Sequence, residues 1–303
     1  MKLAEQYDIF WNNLTTRKRN PAKPSTLNSY SSYWRTWINP LIGQLETSSV
    51  ENGVMKKFVA KLVEAELSPA SIASISQLVK NIVKSAVDEN GNVLFSRTWN
   101  ASFIDSPVVN HSEQKTPIIN ASEVSRAISA APSQYGPLLA LTASSGARIS
   151  EILAIRGTPQ AGSSYWDPAE SKLVIRKALY RGLEQATKTQ AGVREVDLAA
   201  EMNDYLKANI KLSGGFLFSV DGKPIRIRTA YDVIDKLQVP GYHSLRRFRI
   251  SHLENVGVPG GLARFWTGHA TRDVHENYIK LDTDIKARKD WAERAGIGFN
   301  LPK

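Results

Sequence analysis

The stretch YHSLRRFRISH, residues 242–252, places His243 and Arg246 three positions apart. It reads as part of a helix over 243–256, so both side chains share one face. Toward the N-terminus, SGARISEILAIR (145–156) sets Arg148 at a helix start after a glycine, with Glu151 one turn on. Toward the C-terminus, TGHATRDVHENYIK (267–280) sets His269 nine residues before Tyr278. Lys188 falls in ATKTQAG (186–192), which reads as the turn between two strands.

Around this constellation lies an ordinary globular composition. The chain has 303 residues, enough for two domains of roughly 100–200 residues each. Hydrophobic residues make up 42% and charged residues 22%, unlike a disordered basic tail. The 39 Lys and Arg exceed the 29 Asp and Glu, giving a net charge of +10 that favours a polyanionic partner such as nucleic acid. Cysteine is absent, which excludes disulfides, thiolate metal sites and cysteine nucleophiles. The N-terminus does not read as a signal peptide, and no uncharged stretch reaches the length of a membrane span. The expectation is a soluble cytoplasmic protein with no membrane partner.

The charge is clustered. Residues 1–110 carry 12 basic and 9 acidic side chains, and residues 111–303 carry 27 and 20. Arg17, Lys18, Arg19 and Lys23 form one group, Arg226 and Arg228 a second, and Arg246, Arg247 and Arg249 a third. Such groups suit the tracking of a phosphate backbone, although each alone reads equally as a solvated face.

The hydrophobic pattern predicts four helices in the first hundred residues: 3–14, one capped by Ser25 or Thr26 and ended by Asn39-Pro40 and Gly43, 51–66, and one from Ser68-Pro69 to about Asp88. Residues 96–120 lose the period and read as a linker. Beyond it, helices are expected over 122–131, 136–144 and 148–156. Strands follow at 163–167, 172–179 and 192–198, then a helix over 199–212 and a short buried strand or loop at 215–220. The last helices are expected over 228–237, 243–256, 260–267, 271–279 and 283–295. The fold class is α+β and mostly helical. The domains run from 1 to 105 and from 119 to 303, joined by 106–118.

Taken in order, Arg148 in an S/T-G-x-R-x-S-E block, Lys188 in a hairpin, His243 and Arg246 in an H-x-L-R block, Gly268-His269, and Tyr278 resemble the tyrosine recombinases of the phage-integrase type. The helical N-terminal unit is similar to the core-binding domain of that family. The resemblance implies a site-specific recombinase that cuts and rejoins DNA through a covalent 3′-phosphotyrosine, without ATP, metal or other cofactor. It makes Tyr278 the nucleophile, Lys188 the general acid for the 5′ oxygen, His243 a base or proton relay, and His269 a donor to a non-bridging oxygen. Arg148 and Arg246 would each present a fork of donors to the phosphate, with Glu151 bracing them. The implied partner is duplex DNA with inverted-repeat core sites, gripped between the two domains and engaged by a homotetramer, with an accessory bending or directionality protein as a further partner. The tail after Tyr278, with Ile285, Trp291 and Ala295, is expected to dock on a neighbouring protomer.

Two departures stand out. Thr267 occupies a place before Gly-His that is usually apolar, and no separate arm-binding domain precedes the helical unit. Other readings stay open: a type IB topoisomerase, or a DNA-binding protein that kept the fold without its chemistry. Residue by residue, Arg148 and Glu151 also fit a surface ion pair, His243 a core histidine, and Tyr278 one core tyrosine among ten. Four of the five histidines lie between 243 and 275, but without a metal-ligand spacing.

Overall fold

The computed structural model describes residues 1–110, 117–187, 190–212, 214–269 and 284–302. The chain divides into two compact units, Met1–Gln114 and Lys115–Lys303.

The first unit is helical. Helix α1 spans Leu3–Thr16 and α2 spans Pro24–Tyr33. Lys23, not Ser25 or Thr26, holds the cap position of α2, because Pro24 supplies the first helical turn where its missing N–H is not needed. Asn39-Pro40 does not end the rod. A π turn over Trp34–Ile38 passes the Asn39 N–H back to the Trp34 carbonyl, and α3 (Asn39–Ile42) follows. A π turn is where a helix accepts a proline, whose ring would otherwise press on the carbonyl four residues back.

Helix α4 (Asn52–Glu64) and α5 (Pro69–Lys84) complete the expected four. Ser68 caps α5 by accepting from the Ser71 N–H. The helix stops at Lys84, short of Asp88, whose carboxylate instead closes a turn by accepting from the N–H groups of Asn90 and Asn92. Leu3, Ile38, Met55, Leu62, Val79 and Ile82 are fully buried in one core. Tyr7 stacks on Trp34 at 3.9 Å between ring centres, locking α1 to the π turn. The stretch read as irregular from residue 96 has no regular structure over 96–100, but α6 (Ala101–Ile104) then interrupts it and buries Ile104 in the same core.

The second unit is mixed. Helix α7 (Ala121–Ala130) opens with a capping box of Asn120 and Glu123. Helix α8 (Gly136–Ser145) is buried along its whole length. Helix α9 (Ile149–Ile152) is a single turn, not the nine-residue helix expected over 148–156. Strand pairing claims the rest: β1 (Ile155–Arg156) lies parallel to β2 (Ser164–Asp167), and the Leu217 N–H reaches the Ile155 carbonyl.

The expected strand 172–179 is two, β3 (Lys172–Ile175) and β4 (Lys177–Tyr180). The Ser164 hydroxyl accepts from the N–H groups of both Arg176 and Lys177, at 2.9 Å each, and breaks the run there. Strand β5 (Leu183–Ala186) pairs with β4 around Arg181-Gly182, both at positive φ, so an unexpected hairpin precedes the segment read as a turn at 186–192. Strand β6 (Arg194–Asp197) completes a sheet of order β1-β2-β3-β6, antiparallel except for its first pair. A small hairpin of β7 (Ser219–Val220) and β8 (Lys223–Pro224) stands apart.

Helices α10 (Ala200–Asn209), α11 (Ile227–Lys236), α12 (Tyr242–Asn255), α13 (Gly260–Thr267) and α14 (Ile285–Ala295) close the core around α8. The helix expected over 271–279 lies outside the described residues.

Within the single chain, helix α14 packs on its own unit. Ala292, Ala295, Ile297 and Phe299 are buried in the core of the second unit. The Arg288 guanidinium donates to Asp197 on β6 at 2.9 and 3.1 Å and to Glu195 at 2.7 Å. Burial opposes its charge, but the two carboxylates outweigh it and raise its pKa.

Candidate active site

Gly146 ends α8 in the left-handed conformation, at φ +65°. A Cβ there would press to within 3.3 Å of the Arg249 and Thr267 side chains, so glycine is required on two counts. The chain then turns directly into α9, with Arg148 in the cap position. Glu151 reaches back to this cap. Its Oε2 accepts from the Arg148 backbone N–H at 3.0 Å, and its Oε1 accepts from Arg148 Nη1 at 2.9 Å.

The same carboxylate holds a second guanidinium. Arg194 on β6 donates from Nη2 to Glu151 Oε2 at 3.0 Å, from Nε to the Trp266 carbonyl at 2.7 Å, and from Nη1 to the Gly192 carbonyl at 2.9 Å. Arg194 thereby ties α9 to the end of α13. It also packs against Gly268, where φ is +67° and an added Cβ would lie 2.8 Å from Arg194 Nη1. The glycine of the Gly-His pair is thus needed for its backbone and for the arginine beneath it.

Arg246 on α12 is buried, at 1% exposure. Its Nη1 donates to the Gly146 carbonyl at 2.7 Å, and its Nη2 lies 3.0 Å from His269 Nε2. A guanidinium can only donate, so His269 accepts at Nε2 here. His243, on the first turn of α12, is itself exposed between buried Tyr242 and Ser244.

The charges feel one another. Burial, then the Arg148 charge, pushes Arg246 down to about 10. Burial followed by Arg247, Arg246 and Arg148 lowers the pKa of His243. Burial followed by Arg246, Arg148, Arg194 and His243 lowers that of His269. Burial works against ionised Glu151, yet Arg194 and Arg148 overcome it and hold the carboxyl below its ordinary range. Three guanidiniums therefore gather around one carboxylate among the described residues, an excess of cation suited to an anionic oxygen group.

The structure brings together Arg148, Glu151, Arg246 and His269, with His243 in the same field. Lys188 and Tyr278 lie outside the described residues. Of the expected phosphate contacts, Arg17, Lys18 and Arg19 are exposed on the loop between α1 and α2, with Lys23 half-buried at its end. Arg226 and Arg228 are exposed at the start of α11, Arg228 pairing with Asp232 at 2.9 Å. Arg247 donates to the Pro117 carbonyl. Arg249 does not belong in this group: it is 4% exposed and donates to the Gly296 carbonyl at 2.6 Å. It sits on the inward side of α12 and holds the tail.

No protein-family model matches the sequence, and neither does any curated protein. Solved structures do match. An integrase of the transposon Tn1549, in complex with transposon right-end DNA, aligns over 100% of this chain and 96% of its own, with a TM-score of 0.70 at 17% identity. The fold is that of the tyrosine recombinases. A lambda integrase dimer bound to a COC′ core site aligns over 100% of this chain and 99% of its own, with a TM-score of 0.64 at 14% identity. A lambda integrase tetramer on a Holliday junction aligns over 89% of this chain and 78% of its own, with a TM-score of 0.63 at 15% identity.

Within this tyrosine-recombinase fold, Arg194 and Thr267 have structural roles that the motifs did not reveal. A signal for Arg194 exists. GVREVDL alternates, so Arg194 shares a face with buried Val196, and a charge at an inward strand position needs a partner.

Proposed function

We propose that the protein is a site-specific DNA recombinase acting through a 3′-phosphotyrosine on Tyr278. The observation that carries this reading is the pair Arg148 and Arg246, fixed by Glu151 and by Gly146 and His269 in one cationic cluster. A phosphodiester resists attack because its oxygens are anionic. Two guanidinium forks neutralise those oxygens and bind most strongly as charge builds on them in the transition state.

On this reading the Tyr278 hydroxyl attacks phosphorus and the bond to the 5′ oxygen breaks. Lys188 gives its proton to that oxygen, and His243, neutral because its pKa is low, takes the tyrosine proton. The phosphotyrosine ester conserves the energy of the broken bond. A second 5′ hydroxyl can then reverse the step without ATP. Glu151 and Arg194 position Arg148 from behind. The substrate is duplex DNA carrying inverted-repeat core sites, and four copies of the chain act together. The DNA complexes among the similar structures support this choice of partner. The exposed basic loop of the first unit and Arg226 of the second add phosphate contacts.

The test is covalent trapping. A pool of nicked duplexes with randomised cores, end-labelled, is mixed with the full chain and denatured. Labelled protein with wild type and none with Tyr278→Phe is the expected result, and no adduct from any duplex overturns it. Relaxation of a supercoiled plasmid lacking every selected core would instead make the protein a topoisomerase.

A further inference from the structure

Thr267 stands directly before Gly268-His269 and is 1% exposed. Its hydroxyl has one hydrogen to give. Ala263 O lies 2.7 Å from Thr267 Oγ1, Arg264 O lies 3.4 Å away, and a carbonyl can only accept. The hydrogen is therefore committed to Ala263. His269 Nδ1 lies 3.2 Å from the same Oγ1, so the ring nitrogen must be the donor. The opposite edge of the ring gives the same answer independently. Arg246 Nη2, 3.0 Å from Nε2, can only donate, so Nε2 must carry a lone pair.

We infer that Thr267 is a positioning residue that fixes His269 as the neutral ring with its proton on Nδ1, and through Nε2 holds Arg246 in place. The bonds form one directed chain. Arg246 donates to Gly146 on one side and to His269 on the other; His269 donates to Thr267, and Thr267 to Ala263. Arg246 is thus gripped at two edges before any substrate arrives. A protonated ring would turn an Nε2–H against the Arg246 Nη2–H and break the chain. The groups that face the ring reinforce this: Arg246 and His243 from α12, Arg148 at the start of α9, and Arg194 from β6. This inference rests on the recombinase reading for its catalytic meaning, but the hydrogen-bond assignment does not.

The test reads the ring directly. Nitrogen NMR of the full chain with labelled histidine, without DNA, distinguishes protonated from bare ring nitrogens, and His269→Gln identifies the resonance. The expected wild-type spectrum shows Nδ1 protonated and Nε2 bare. Thr267→Val keeps the shape but removes the hydroxyl; without that hydrogen bond, the tautomer ratio should fall by roughly tenfold. Thr267→Ser keeps the hydroxyl and should keep the wild-type tautomer. A proton on Nε2 in wild type overturns the inference whether or not the variants fold. So does an unchanged tautomer in a folded Thr267→Val. Neither outcome depends on DNA cleavage, so a failure here is distinct from a failure of covalent trapping.

Discussion

Arg194 donates to Glu151 across 3.0 Å, with both side chains only 1% exposed. This pair sets the position of Arg148, because the carboxylate that Arg194 holds is the one that orients Arg148. A buried pair of this kind gains little over an apolar pair of the same size, but breaking it leaves a charge uncompensated. Glu151→Gln should therefore destabilise the second unit by about 3–5 kcal/mol. Denaturant unfolding followed by tryptophan fluorescence measures it. A loss below about 1 kcal/mol, the range of an exposed pair, would show that Arg194 finds other compensation.

The same pair gives a signed dependence on pH. The folded Glu151 carboxyl lies below its ordinary value of 4.5, since Arg194 and Arg148 outweigh the effect of burial. A depressed folded pKa stabilises above the unfolded pKa, and that stability is lost as pH falls through the folded value. Wild type should lose stability as pH drops below 4.5, and Glu151→Gln should fall less steeply over the same window. Glu195, also lowered although burial opposes it, supplies part of the remaining slope through Arg288 and Lys172. Thermal melts from about pH 6 down to about pH 3 compare the two slopes. Parallel curves would remove Glu151 from the account.

A second consequence concerns the fork of Arg246. Its Nη1 and Nη2 are tied to Gly146 and His269, so the plane of the guanidinium is set before substrate binds. Lysine keeps the charge but cannot satisfy both partners and a phosphate oxygen from one plane. Arg246→Lys, and likewise Arg148→Lys, should slow covalent adduct formation by about 10²–10³-fold, the scale seen when one preorganised donor is removed. Near-normal trapping by either variant would argue that charge alone suffices.

The sequence made legible what depends on local spacing. Glycine before Arg148, three residues from His243 to Arg246, and Gly-His after α13 are short-range signals, and the structure brings those residues to one place. What escaped depends on pairing between distant segments. Arg194 meets Glu151 across 43 positions, and nothing near Arg194 names that partner. The single strand expected over 172–179 breaks because a serine on a neighbouring strand takes its N–H groups. The hairpin of β4 and β5 was hidden because Arg-Gly is a weak turn signal beside Asn-Gly or Asp-Gly. Arg249 looked like part of a surface cluster because charge in sequence carries no direction. The helical register turns Arg249 inward while Arg247 stays nearer the surface.

The tail illustrates the same limit and yields another expectation. Helix α14 reads as weakly amphipathic, yet Arg288 is 1% exposed and paired with Asp197, itself 1% exposed. Arg288→Ala leaves that carboxylate buried without its guanidinium and should destabilise the second unit by about 3–5 kcal/mol. Truncation after residue 283 uncovers the seats of Ala292, Ala295, Ile297 and Phe299 and should yield aggregated protein. Had the tail served only a neighbour, the truncated chain would stay monomeric and folded. Size-exclusion chromatography with limited proteolysis tells these apart.

The basic residues divide by burial, and binding should follow that division. Arg17, Lys18 and Arg19 are exposed on one loop, so each is able to release counterions from a phosphate. Replacing all three by Gln should weaken binding to a random duplex and reduce the salt slope by about 1 for each phosphate that is no longer neutralised, leaving the melting temperature unchanged. Arg249 is 4% exposed, and burial lowers its pKa to about 10, so its charge serves the Gly296 carbonyl, not a phosphate. Arg249→Gln should lower the melting temperature and leave the salt slope as it was. Fluorescence anisotropy from about 50 to about 200 mM salt, where a protein that neutralises several phosphates drops by orders of magnitude in affinity, reads both variants. A reduced slope for Arg249→Gln in folded protein would return that arginine to the DNA surface.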